Sequence, residues 1–225
     1  MDFKDESLEV EDQPYFLISR SFDVNIPGTD FNDIKGAVIG GTLIKGSLKI
    51  GDTIQIRPGK ILGSGMYMPY SAKILSMESN GEEVEKIIPG GLIAIGTDLD
   101  PFWSKKNKLV GSILGKDNYS PDVYKSGKFN YIKTPEFVTG PEWIPKRGDL
   151  INLQVETVAL IDCEIVEISE EDKLITLNFS SLACLSEGMD IVLNQKIGDG
   201  YSSNYNIVAY GNFINGEEAQ KIEGL

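Results

Sequence analysis

A chain with no histidine among its 225 residues has no imidazole general base, no serine or cysteine triad built on one, and no imidazole ligand for zinc. Most hydrolase chemistry is excluded on that ground. Gly41 and Gly46 stand at the spacing of the glycines in a phosphate loop, but Ser47 occupies the position of its lysine, and Gly111 to Lys116 is one residue short of the motif. The flanking residues are Val, Ile and Leu, the pattern of strands bounded by turns and not of a strand, loop and helix, so neither stretch is expected to hold a nucleotide. Cys163 and Cys184 lie in apolar, strand-like surroundings at no metal-ligand spacing. They read as buried thiols, with a disulfide between them left open. Two clusters suit binding instead of catalysis. Met66, Tyr67, Met68 and Tyr70 follow a glycine-rich stretch and supply adaptable apolar area for a protein contact, and Trp103 beside Lys105, Lys106 and Lys108 fits a protein interface, a nucleic-acid patch or a lid on a barrel end.

The elements that must carry these residues are short and β-branched. YFLISRSFDV, GAVIGGTLI, SLKI, TIQIRP, SAKILSM, GGLIAIGT and KLVGSIL follow one another with Gly, Pro, Asn and Asp between them, which predicts a small closed β-barrel without exposed edges. After a break near Asp117 a second series begins with KFNYIK and DLINLQVETVAL and continues through DCEIVEI, KLITLNF, MDIVLN and NYNIVAYGNFI. The polar SEEDK predicts a hairpin turn, TPEFVTGPEWIPKRGD a long loop, and helical turns are expected only at EEVEK and EEAQK. The fold class is therefore all-β: residues 1–12 a tail or linker remnant, 13–117 a first barrel, 118–225 a second.

Charge is unevenly divided. Residues 1–12 hold six acids and one lysine, 13–117 eleven acids and twelve bases, and 118–225 seventeen acids and eight bases, within a net charge of -13. Nucleic-acid binding relies on lysine and arginine displacing counterions, so the second half is a poor candidate for it and the first remains open. No run of about 18 apolar residues is present, which predicts a cytoplasmic protein without a membrane partner.

The run KGAVIGGTLIKGSLKIGDTIQIRPG, Lys35 to Gly59, resembles the second domain of the translational GTPases. Arg20 to Gly28, RSFDVNIPG, and Pro89 to Pro101, PGGLIAIGTDLDP, narrow the resemblance to the gamma subunit of eukaryotic and archaeal translation initiation factor 2, supported by LVGSILG (Leu109 to Gly115) and NIVAYGNFI (Asn206 to Ile214). It covers the chain from about Tyr15, strongly in the first barrel and weakly in the second. The family's GTPase domain, with its phosphate loop, magnesium ligands and zinc knuckle, has no counterpart here. The resemblance thus implies domains two and three alone, no catalytic residue, no metal ligand, and no cofactor, GTP and magnesium belonging to the parent protein. The basic stretch before the family's final strand is replaced by NQKIGDGYSSNY.

Matched motif by motif, the resemblance implies that Arg20, Phe22, Gly90 and Gly91 border the pocket for the aminoacyl end of initiator methionyl-tRNA. Phe22 would offer a face for stacking, Arg20 a contact to phosphate or carbonyl, and the paired glycines close backbone approach. Phe22 as core, Arg20 as a solvated residue and Gly90-Gly91 as a turn is the competing reading. The resemblance further implies docking of the alpha subunit on the first barrel, with Met66, Tyr67, Met68 and Trp103 as candidates, and contact with the beta subunit and the small ribosomal subunit through the full-length protein. A corresponding fragment of a selenocysteine-specific or general elongation factor is the alternative.

Overall fold

The computed structural model describes residues 13–63, 65–116, 121–135, 143–156, 159–197 and 204–222. The expected acidic tail, the residues around the break at 117–120, the segment 136–142 of the long loop, and 198–203 lie outside them. The chain divides into two compact units, Met1–Arg57 with Tyr70–Ser120, and Pro58–Pro69 with Pro121–Leu225.

In the first unit the strands are β1 (Tyr15–Phe22), β2 (Val38–Lys45), β3 (Leu48–Lys49), β4 (Thr53–Gly63), β5 (Met66–Ser79), β6 (Glu82–Glu83), β7 (Lys86–Ile87), β8 (Ile93–Thr97) and β9 (Ile113–Gly115). Six of them run in the order β5, β4, β9, β1, β2, β8, and pairing of β5 with β8 closes the ring. The period of two explains the closure: Ile54 and Ile56 of β4, Ile93 and Ile95 of β8, and Ile39 of β2 all point inward with Phe16, Ile18, Ile74 and Leu114. Gly41 sits mid-strand in β2 where a Cβ would run into the carbonyl of Leu17. The glycine that mimicked a phosphate loop is thus demanded by close strand packing.

The second unit contains β10 (Asp122–Asn130), β11 (Ile132–Lys133), β12 (Leu150–Val155), β13 (Ala159–Ser169), β14 (Leu174–Leu185), β15 (Asp190–Ile197), β16 (Asn204–Glu218) and β17 (Gln220–Lys221). The order β10, β14, β13, β12, β15, β16 closes through β10 and β16, with β11 continuing on β16. Phe129, Tyr131, Trp143, Leu153, Ile165, Leu177, Leu193 and Phe213 fill its interior. The SEEDK turn joins β13 to β14 as expected, with the Ser169 hydroxyl donating to Asp172 at 2.7 Å.

Four expectations change. EEVEK forms β6 and β7, and EEAQK runs from the end of β16 into β17, so neither is helical; the described helical turns are the 3-10 segments Phe31–Asp33, Pro101–Trp103 and Lys105–Asn107. Glutamate favours helices only weakly, and strand partners override it. KLVGSIL contributes only β9. The second series begins before KFNYIK, since Asp122 to Gly127 already belong to β10 between β14 and β16. The glycine-rich stretch before Met66 is no excursion between separate strands: residues 60–63 end β4 and residues 66–70 begin β5, and the tip groups with the second unit, where β17 adds parallel to β5 through Gln220 opposite Met66 and Lys221 opposite Tyr67. Both cysteines are buried thiols, and neither is in a disulfide.

Candidate functional site

At the end of β1, Ser21 is fully enclosed and bonded on every side. Its amide donates to Asn107 Oδ1 at 3.1 Å, its hydroxyl donates to the Ser104 carbonyl at 2.9 Å, and it accepts the Leu109 amide at 3.3 Å. Ser104, equally buried, donates its hydroxyl to the Phe22 carbonyl at 2.7 Å. A satisfied buried network of this kind has one geometry, because breaking any member leaves a polar group unpaired at a cost of about 1–3 kcal/mol. It locks the segment 101–109 onto β1 and delivers Lys105, Lys106 and Asn107 beside Phe22. Lys106 and Asn107 both adopt left-handed backbone, φ 55° and 58°, a combination held only where the surroundings dictate it.

The result is a shallow depression of about 370 Å³ lined by Ser21, Phe22, Asp23, Lys105, Lys106 and Asn107. Phe22 is 46% exposed and offers its ring to solvent. Lys105 pairs with Asp23 at 3.2 Å. The Asp23 carboxyl is held below its ordinary value, chiefly by the Asn25 amide that it accepts at 3.0 Å, then by the Asn25 side chain and Lys105. An exposed ring framed by lysines can stack a flat or apolar group and hold a negative one beside it.

Of the four residues assigned by motif, only Phe22 lines this depression. Arg20 is exposed on β1 opposite Gly40. Gly90 and Gly91, with φ of 113° and 72°, form a turn whose Gly90 amide donates to the Leu43 carbonyl at 3.2 Å. That turn borders a second depression of about 260 Å³ with Ser79, Asn80, Lys86 and Pro89. Phe22 lies opposite Val38 at one end of β2, and the five-residue offset to Leu43 amounts to about 17 Å along the strand.

The proposed docking residues also separate. Tyr67 is buried and Met66 and Met68 are half-buried in β5. Trp103 packs on the first core, its ring 4.9 Å from Tyr70 and 5.0 Å edge-on to Phe102, while Lys108 Nζ sits 3.8 Å above the exposed Phe102 ring. Burial pushes the Tyr70 phenol up to about 12. Motif reading missed Ser21, Asp23, Ser104 and Asn107. The signal available for Asn107 was its tolerance of left-handed backbone beside a lysine cluster.

Two successive closed six-stranded antiparallel barrels, the first bearing this ring-and-lysine edge, are the architecture of the barrel domains of translation factors. The chain overlays elongation factor SelB from Methanococcus maripaludis at a TM-score of 0.66 with 15% identity, over 91% of this chain and 44% of that one. The complex of that factor with a GTP analogue gives a TM-score of 0.67. In sequence it is 32% identical over 209 residues to the eukaryotic translation initiation factor 2 subunit gamma of Encephalitozoon cuniculi, across 91% of this chain and 46% of the relative. It is 34% identical over 206 residues to the corresponding subunit of Pyrococcus furiosus, across 88% and 48%. No family model matches. The chain is homologous to the gamma subunits of translation initiation factor 2 and spans about half the length of the curated relatives it matches. Among the described residues no helix is long and apolar enough to cross a membrane.

Proposed function

We propose that this chain is the two-barrel part of an initiation factor 2 gamma subunit, acting in the cytoplasm to help bind initiator methionyl-tRNA and to dock the alpha subunit. The observation that carries this reading is the 32% identity sustained over 91% of the chain. The exposed Phe22 ring, which lines one depression with Lys105 and Lys106, supports the tRNA role, and exposed Phe102 with its overlying Lys108 supports a protein contact on the first barrel. The GTP and magnesium sites belong to the parent protein's GTPase domain, and contacts with the beta subunit and small ribosomal subunit are made through the full-length protein.

The test is titration of the chain with the alpha subunit and with initiator tRNA, alone and fused to a cognate GTPase domain. The chain alone should bind alpha measurably and methionylated initiator tRNA poorly, and the fusion should restore tRNA binding. In the fusion, Phe22→Ala should weaken methionylated tRNA more than uncharged tRNA, by about 1–3 kcal/mol for a lost stack. Equal losses would take Phe22 out of the methionine pocket. A preference for aminoacylated elongator tRNA would replace the initiation reading with an elongation-type factor.

A further inference from the structure

The outer wall of the second barrel carries a feature that neither reading uses. Cross-strand partners define a row that crosses five strands: Leu160 opposite Gln154, Gln154 opposite Val192, Val192 opposite Tyr210, and Tyr210 opposite Ile132. All five point away from the interior, since Ile161, Val155, Leu153, Ile191, Ala209 and Tyr131 beside them are buried. Leu160, Tyr210 and Ile132 are 47%, 48% and 57% exposed. With neighbouring strands about 4.8 Å apart, the row forms an apolar stripe about 19 Å long, interrupted only by an amide.

Acidic groups border the stripe on both sides. One row along the strands lie Glu156 and Asp190, close enough that the Asp190 charge adds to burial in raising the Glu156 carboxyl. Asp190 accepts a hydrogen bond from Asn212 at 2.6 Å. On the other side lies Asp162, opposite Asn152 and bonded to its amide, with Glu164 beyond it opposite Leu150. Positive groups near this wall include Lys133, tied to Glu170 at 3.0 Å, Lys196, opposite Tyr205, and Lys146 and Arg147 in the turn before β12.

We infer that this stripe docks an amphipathic, lysine- or arginine-bearing helix of a partner polypeptide. The charge favours a basic occupant, because acids flank the apolar row and the unit is strongly acidic. The strands decide its conformation. Each interior strand of this closed barrel is already hydrogen-bonded on both edges, so an added strand finds no ladder, and the occupant must satisfy its own backbone as a helix does. About 13 helical residues span 19 Å, with apolar side chains at i, i+3, i+4 and i+7 on the stripe and basic ones to either side.

The probe is a fluorescein-labelled 14-residue peptide of leucine and lysine only, with leucines at that helical spacing, measured against the whole chain by anisotropy. A peptide of the same composition in scrambled order is the comparison. The amphipathic peptide should bind at least tenfold tighter than the scrambled one. Tyr210→Ser combined with Leu160→Ser should lower its affinity at least tenfold, Asp190→Asn combined with Glu164→Gln should flatten its salt dependence, and Leu92→Ser on the first unit should change nothing. A benzophenone-bearing version should crosslink to residues 130–134, 159–162 and 205–212. Equal binding of both peptides, crosslinks confined elsewhere, or an affinity unmoved by the Tyr210 and Leu160 pair would overturn the inference. So would a short RNA duplex binding the wild-type chain in preference to the peptide and losing affinity in that double variant.

Discussion

Cys163 has its thiol buried in the second core, donating to the Ile161 carbonyl at 3.3 Å, and burial pushes it up to about 12 from an ordinary 9. In the unfolded chain the same thiol ionises near 9, so the contribution of its neutral form to stability is complete below that pH and is lost as pH rises from 9 toward 12. Tyr70, pushed up to about 12 by its half-buried place against Trp103, acts in the same direction at the top of that range. Urea midpoints should therefore fall between pH 8.5 and about 10.5, and Cys163→Val should fall less steeply. A midpoint flat to pH 10.5 in the native sequence would show that the thiol titrates freely in the folded state. Thiol reagents should label Cys163 and Cys184 only as the protein unfolds, since both are enclosed.

Within β2, two adjacent glycines should respond in opposite ways. A Cβ on Gly41 meets backbone at Leu17, whereas one on Gly40 meets only Arg20 Cβ at 3.4 Å and Phe22 at 3.6 Å. Gly41→Ala should cost about 1–3 kcal/mol in urea unfolding, as overpacking against a main chain does. Gly40→Ala should be neutral or stabilising by up to about 1 kcal/mol, because it narrows the unfolded ensemble in a conformation that alanine accepts. Equal effects would mean that the strands do not pack as described. Elements of this kind were readable beforehand. YFLISRSF, VIGGTLIK and LITLNF are short apolar and β-branched runs bounded by turn residues, and SEEDK carries local turn chemistry, all of which belong to the residues themselves. Lys60 to Tyr70 was not readable, because its glycines interrupt the strand pattern at the tip of the hairpin that joins β4 to β5. The two glutamate-rich stretches misled because intrinsic helix preference is weak and strand pairing, local for β6 on β5 and distant for β17 on β5, overrides it.

For the molecule as a whole, the two stretches spaced like phosphate loops are a strand packed on Leu17 and a turn leading into β9. Neither GTP nor GDP at millimolar concentration with magnesium should raise its melting temperature. A saturable shift would demand a nucleotide site elsewhere, since a ligand of the native state must stabilise it. Two barrels were legible from strand count and breaks, but the candidate site was legible only in part. Phe22 stood out as an aromatic residue in a recognisable motif, whereas the serines that bind the lysine segment to β1 act through pairings more than eighty residues apart in sequence. The pairing of β17 with β5 is more distant still, and it sets an order of events during synthesis. Gln220 meets Met66 across roughly 150 residues, which a ribosome needs about 8–30 s to add. Throughout that interval the nascent hairpin at 58–69 has emerged with one edge bare. Neighbouring chains on the same polysome offer it strands of their own, so slow or stalled translation before residue 220 leaves this chain open to pairing with its siblings.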